Sequence, residues 1–278
     1  MELKFLYPYK EMQKYLEGIG KNQNAWKEIM IDPYWKQIAE WAGDTCDFMK
    51  PASIKNNIKK QIEKFKILDL SVYEDVFKNV VSSLSKDDED PMTVAFYPSE
   101  NNMDEGVAGC NVWGNIIITI NPLITNFQKW IPFVFAHEYH HVVLGFYWYC
   151  VKGGSDTKGN LLEHLINEGE ADEFAKSLHP NYQPSWHKGV TKENEQFTWE
   201  KYKKVLYEVG SPQEQEKYMF GSKELGIPPF AGYYFGSKIV SSFMERHKNI
   251  GFNDLIKIPH QTIFSESILA TSKFSLYP

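Results

Sequence analysis

Cysteine is scarce in this chain. Only three occur in 278 residues, Cys46, Cys110 and Cys150. Their odd number and wide spacing exclude a disulfide framework and a paired Cys-x-x-Cys zinc site, and they fit a reducing cytoplasm. Arginine is scarcer still. Of 30 basic residues, all but Arg246 are lysine. With a formal net charge of -6 and almost no guanidinium forks, phosphate-tracking nucleic-acid binding is not expected. Long apolar runs are also missing. None reaches the ~18 residues of a membrane span. The first residues, MELKFLYPYKEMQKYLEGIG, carry charges throughout and lack the apolar core of a secretory signal.

What is present is an ordinary globular composition, 42% apolar and 15% aromatic. The length allows one large domain or two small ones, with a core that needs no staples. Residues 1–90 read as a helical flank, with apolar residues at threes and fours in 34–42, 54–65 and 72–84. The acidic run Asp87-Asp88-Glu89-Asp90, closed by Pro91, reads as a solvated connector. Thr93–Tyr97 and Ile116–Ile120 are β-branched and aromatic, bounded by Pro98, Gly114, Asn121 and Pro122, and read as strands. Gly106, Gly109 and Gly114 mark turns or a bulge between them. From Pro132, suited to a first helical position, a helix is expected to about Trp148. Further helices are expected near 161–178, 195–209, 230–247 and 265–274. The fold class is therefore α+β. It is mainly helical, with a small, mostly antiparallel sheet preceding the helix at Pro132. The domain reading is a helical region at 1–90 and a main domain at 91–278 that ends in a helical subdomain.

Three of the eight histidines fall within five residues, His137-Glu138-Tyr139-His140-His141. This run contains H-E-x-x-H in the middle of a predicted helix. At 3.6 residues per turn, His137 and His141 project from one face and can reach one metal ion. Glu138 can reach a metal-bound water without ligating the metal. His140 would face elsewhere. The flanking residues 133–136 and 142–144 are apolar, so histidines among them need partners, and a metal is one way to supply them.

A catalytic zinc site needs a third protein ligand. The next helix, LLEHLINEGEADEFAKSL, places Glu168 and Asp172 one turn apart on a stripe shared with Leu161, Leu165 and Ala175. Carboxylates on such a stripe are costly to bury unless paired or bound to metal. Glu168 is the expected third ligand. Asp172 would accept the free ring N–H of His137 and fix its tautomer. Glu170 and Glu173 are expected on other, solvated faces.

Asn167-Glu168-Gly169-Glu170-Ala171-Asp172 is N-E-x-x-x-D, and here the chain resembles the thermolysin-like gluzincin metallopeptidases. In order, HEYHHVV, the Glu168-Gly169-Glu170-Ala171 helix with Phe174-Ala175, and Gly232-Tyr233-Tyr234-Phe235-Gly236 look like the YjaZ-type predicted zinc-dependent proteases of low-GC bacteria. The resemblance covers about residues 90–250. His141 and Glu168 lie 27 positions apart, a longer gap than in thermolysin, and the glycine-rich segment 151–160 falls within it.

The resemblance implies a zincin-like fold, a Zn²⁺ cofactor held by His137, His141 and Glu168, and Asp172 supporting His137. It also implies a later-helix tyrosine or histidine to stabilise the oxyanion. Tyr233 is the candidate, ahead of Tyr234, His164, His187, His247 and His260. The competing reading for Tyr233 is a core aromatic, and for Gly232 and Gly236 close helix packing. The strand Ile116–Ile120 is expected either to pair with an extended substrate backbone or to lie inside the sheet. Asn111 and Trp113 would line the cleft beside it.

The expected function is zinc-dependent peptide hydrolysis in the cytoplasm, with Glu138 as general base. Its substrate would be a peptide or an unfolded protein, with no nucleic-acid or membrane partner. One alternative is a catalytically inactive metal- or peptide-binding regulatory protein on a peptidase-like scaffold, which would have no need of Glu138. Another places Trp130–Cys150 in a membrane. Enzymes of that kind need several spans, and a mean hydropathy of -0.44 argues against them.

Overall fold

Two units make up the chain, Met1–Val143 and Leu144–Pro278. The structure is a computed structural model and describes residues 1–86 and 90–270. Three residues of the acidic connector, Asp87, Asp88 and Glu89, lie outside the described residues.

The first unit is built on a four-stranded sheet of β1 (Leu3–Leu6), β2 (Met92–Pro98), β3 (Val107–Val112) and β4 (Asn115–Ile120). Its spatial order is β1-β2-β4-β3. The expectation of a mostly antiparallel sheet is corrected. β1 and β2 are parallel, as are β2 and β4, and only β3 and β4 run antiparallel. Parallel neighbours need a long crossover. Four helices supply it between β1 and β2: α1 (Met12–Gly18), α2 (Asp32–Ile38), α3 (Ile58–Lys66) and α4 (Glu74–Ser83). The N-terminal flank is thus helical except at its start, where Leu3–Leu6 pairs in register with Met92–Ala95. The two interior strands are covered on both faces, which explains their continuous apolar runs. All seven residues of β2 are buried.

β3 was not expected as a strand because Gly109 interrupts it and it lacks a β-branched run. Its tight hairpin with β4 holds it in place. Val112 pairs with Asn115. The two linking residues, Trp113 and Gly114, both have positive φ, at 48° and 93°. That is the geometry whose twist matches a two-residue hairpin. Asn111 Oδ1 accepts the Gly114 N–H at 2.9 Å and braces the turn.

After β4 comes α5 (Phe127–Gly145). It begins before Pro132, which lies inside the helix, so the expected start is corrected. Pro132 cannot donate to the carbonyl of Gln128. The Tyr73 hydroxyl donates to that carbonyl instead, at 3.1 Å. An aromatic series seats the helix. Phe77 of α4 stacks on Phe135 with ring centroids 3.8 Å apart, and the Phe96 and Phe5 rings of the sheet lie 6.2 and 6.1 Å from Phe77. The Tyr139 hydroxyl donates to the Leu84 carbonyl at 2.9 Å, fixing one face of the helix inward.

The second unit opens with a π turn, Phe146–Val151, and centres on α6 (Leu161–Leu178). Asn160 caps α6, its Oδ1 accepting the Glu163 N–H at 3.1 Å. α7 (Glu195–Lys203), α8 (Pro212–Met219), α9 (Ala231–Arg246), α10 (Phe252–Leu255) and α11 (His260–Ser265) follow. α7 ends earlier than the expected 209. The last expected helix is shifted: α11 ends at Ser265, residues 266–270 are not helical, and 271–274 lie outside the described residues. α6 packs chiefly on α9. Leu162, Leu165, Trp199, Tyr202, Phe235 and Phe243 belong to the core formed there. Buried residues occur on every face of α6, so it shows no single amphipathic stripe.

Candidate metal centre

In the first unit, α5 carries His137 and His141 four residues apart. Their Nε2 atoms lie 3.1 Å from each other. The same spacing nearly matches one edge of a zinc tetrahedron, since two nitrogens each ~2.0–2.1 Å from the ion stand about 3.3 Å apart. The pair therefore fits a shared divalent ion. His140 is fully buried, and its ring meets that of His141 edge-on at 6.4 Å. His137 and Glu138 are 7% and 8% exposed.

Glu138 points towards β3. A Cβ built on Gly109 would stand 2.7 Å from Glu138 Oε1 and 2.8 Å from its Cδ. Only a glycine leaves that space open. Gly109 was expected in a turn or bulge; a glycine in mid-strand is instead a mark of such close approach. Cys110, the next residue, has its thiol pushed up to about 12, by burial first and then by the Glu138 charge. It stays a protonated thiol.

β4 is the interior strand, with β2 on one side and β3 on the other. Of the two expected readings, the interior one holds. The sheet edge near Glu138 belongs to β3. Asn111 braces the hairpin, and Trp113 is exposed at its tip.

In the second unit, α6 carries Glu168, which is half-buried, and Asp172, which is fully buried. Asp172 Oδ2 accepts the Trp186 indole N–H at 3.1 Å and lies 2.6 Å from His187 Nε2. These two residues come from a short 3-10 turn, Ser185–Lys188. The sequence offered His187 only as a weaker oxyanion candidate and did not mark Trp186, because both reach Asp172 from an irregular segment fourteen and fifteen residues away.

Two expected solvated acids are not solvated. Glu170 is buried, and Glu173 accepts from Lys176 at 3.0 Å and from the Ser237 hydroxyl at 2.5 Å. Most of α6 is buried, so several of its polar positions are drawn into internal bonds. The His164 imidazole is held below its usual value by burial, against the opposing charges of Glu163 and Glu168.

Tyr233 sits on α9 among aromatic rings, with Phe230, Phe220 and Trp186 at 5.8, 6.0 and 6.5 Å. Tyr234 donates to Glu195 at 2.9 Å, and its hydroxyl is pushed upward by burial and by that carboxylate. His247 lies 2.7 Å from Glu266. Gly232 and Gly236 have packing roles: a Cβ on Gly232 would stand 2.7 Å from the Met219 Cα, and one on Gly236 2.9 Å from the Leu165 carbonyl carbon.

A paired-histidine helix beside a carboxylate has a match among known families. Residues 51–265 match the family described as predicted Zn-dependent protease (DUF2268). The chain belongs to this family. It is also 31% identical over 179 residues to an uncharacterized protein, YjfC, of Bacillus subtilis (strain 168). That similarity covers 61% of this chain and 58% of the relative. The chain thus spans under two thirds of the curated relative's length. No solved structure matches it. Among the described residues, no helix is long and apolar enough to cross a membrane.

Proposed function

We propose that this family member is a zinc-dependent peptidase, with His137, His141 and Glu168 holding the ion and Glu138 acting as general base. The observation that carries the reading is the 3.1 Å spacing of the two Nε2 atoms, with a nearly buried Glu138 on the same helix. It is supported by the chemistry of the donor set, two imidazoles and a carboxylate, which suits a zinc ion.

A zinc ion held there supplies Lewis acidity and brings the pKa of a water to ~7. Glu138 takes the proton of the attacking water and delivers it to the leaving amine. Asp172 orients His137 by accepting its second ring N–H. Tyr233 donates to the oxyanion. The outer edge of β3 pairs with an extended segment of peptide or unfolded protein, and Gly109 leaves room for the Glu138 carboxylate against that strand. The odd number and wide spacing of the three cysteines support action in the reducing cytoplasm.

The test uses the full chain loaded with zinc, an unfolded protein substrate and a peptide library. Glu138→Gln should keep its zinc and lose about 10²–10⁴-fold in hydrolysis. His141→Ala and Glu168→Ala should lose zinc by metal analysis. Wild-type turnover in Glu138→Gln would remove the general-base assignment, and full metal occupancy in both ligand variants would remove the ligand set. Wild-type protein that binds zinc and substrate but cleaves nothing would favour the regulatory alternative.

A further inference from the structure

Asn167 precedes the proposed ligand Glu168 and has no role in the mechanism above. Its Oδ1 lies 3.0 Å from Nε2 of His260, a side chain only 1% exposed. The other ring nitrogen, Nδ1, lies 2.8 Å from Asp156 Oδ1. Asp156 also accepts the backbone N–H groups of His260 and Gln261, each at 3.1 Å. One side of the His260 ring meets Trp148, in the turn that follows α5, at a centroid distance of 5.2 Å. Both ring nitrogens are therefore engaged, and the ring plane is fixed from the side. Either the amide oxygen accepts from a second ring N–H, or the rotated amide donates to a neutral nitrogen. Each arrangement is directional.

Asp156 is itself held. It belongs to the glycine-rich segment between the histidine helix and α6. Ser155, Thr157 and the Gly159 N–H, all from that segment, donate to Glu163 Oε2 on α6. The segment is thus a clasp from α6 to the start of α11, and His260 returns the connection to α6 at Asn167.

Helix geometry makes that return contact consequential. Successive residues diverge by 100° around the axis, so Asn167 and Gly169 flank Glu168 on opposite sides. Gly169 is locked against α9, where a Cβ would stand 2.9 Å from the Ser237 nitrogen. A roll of α6 by ~10° would carry a carboxylate ~5–6 Å from the axis through about 1 Å. Metal–ligand distances tolerate only about 0.2 Å.

We propose that His260 is a positioning residue for Glu168, setting the roll of α6 through Asn167. The proposal rests on the ligand reading above. The decisive experiment measures zinc affinity of the full chain by chelator competition, apo-protein melting, and the visible absorption of the cobalt-substituted protein. Asn167→Ala and His260→Ala are compared singly and together. Each single variant is expected to bind zinc about tenfold more weakly and to show an altered cobalt spectrum. The double variant should be no weaker than either single one, because both cut the same link. Asn167→Ala leaves the His260–Asp156 contact intact, so it carries the test if His260→Ala does not fold. Folded variants with wild-type zinc affinity and the wild-type cobalt spectrum would overturn the proposal, as would additive losses in the double variant. A wild-type chain that binds no zinc would overturn the ligand reading itself, and this proposal with it.

Discussion

Gly109 of β3 lies directly against the carboxylate of Glu138, with room for a hydrogen but not for a methyl group: an added Cβ would stand 2.7 Å from Oε1. A strand glycine and a helix acid thus share one volume. Gly109 is not among the glycines with positive φ, so its backbone tolerates alanine. The cost of Gly109→Ala falls on Glu138, which must swing away. A displacement near 1 Å at a proton-transfer group can cost about 10²-fold in rate. Gly109→Ala is therefore expected to lower kcat by roughly that factor while zinc content stays at the wild-type level. Steady-state kinetics with metal analysis on the same sample checks both. Unchanged kcat would show that Glu138 is not confined by this strand.

The histidine helix was legible because its signal is local. Four residues separate His137 from His141, and helical period alone puts them on one face. β2 and β4 were legible for the same reason, as short β-branched runs between turn residues. β1 was not. Leu3–Leu6 is four residues long and partly exposed, and its strand character comes from pairing with residues about ninety positions away. That pairing also sets the parallel direction that the sequence reading missed. β3 depended on the Trp113-Gly114 turn, where a tryptophan occupies the left-handed region, against its usual preference. The bonds around the second motif were the least legible. His260 meets Asp156 across 104 positions and Asn167 across 93. Period and spacing carry no signal at that range. The glycine motif at 232–236 was read with packing as one alternative, and the contact of Gly236 with the Leu165 carbonyl is of that kind.

That contact predicts a stability effect with a built-in control. A Cβ on Gly236 would collide with backbone of α6 at Leu165, which cannot rotate away as a side chain can. Gly236→Ala should lower stability by about 1–3 kcal/mol, the usual cost of overpacking a helix contact. Gly145 lies in helical conformation with nothing within 4 Å of its Cβ position. Gly145→Ala should be neutral or stabilising by up to ~1 kcal/mol, since alanine loses less backbone entropy than glycine in a helix. Urea denaturation of both variants decides it. Equal stability of the two would mean that α6 and α9 are not held as closely as described.

Glu163 sets an acid limit on the second unit. Its carboxylate is buried and accepts from the Tyr149 hydroxyl at 2.6 Å, Thr157 at 2.8 Å, the Gly159 N–H at 2.6 Å, and Ser155. Burial alone would raise its pKa. The hydrogen bonds from Ser155, Tyr149, Gly159 and Thr157 outweigh burial and hold it below the ordinary carboxylate value of 4.5. A group whose folded pKa lies below its unfolded one contributes fully above the unfolded value, and that contribution is lost as pH falls through the folded one. His164, depressed chiefly by burial, acts in the same direction from near neutrality downward, because only the unfolded chain takes up its proton readily. Glu163→Gln removes a charged acceptor that serves four donors, so it should cost about 1–3 kcal/mol at pH 7. The gap between wild type and variant should narrow as the pH is taken below ~4.5 and the wild-type carboxyl is protonated. Glu163 is one of the charges that oppose the His164 depression, so the variant lowers that imidazole further and the gap should not narrow between pH 7 and 5. Urea midpoints at pH 7, 5, 4 and 3 measure it directly. A gap that stays constant down to the acid transition would show that the clasp holds Glu163 as the neutral acid.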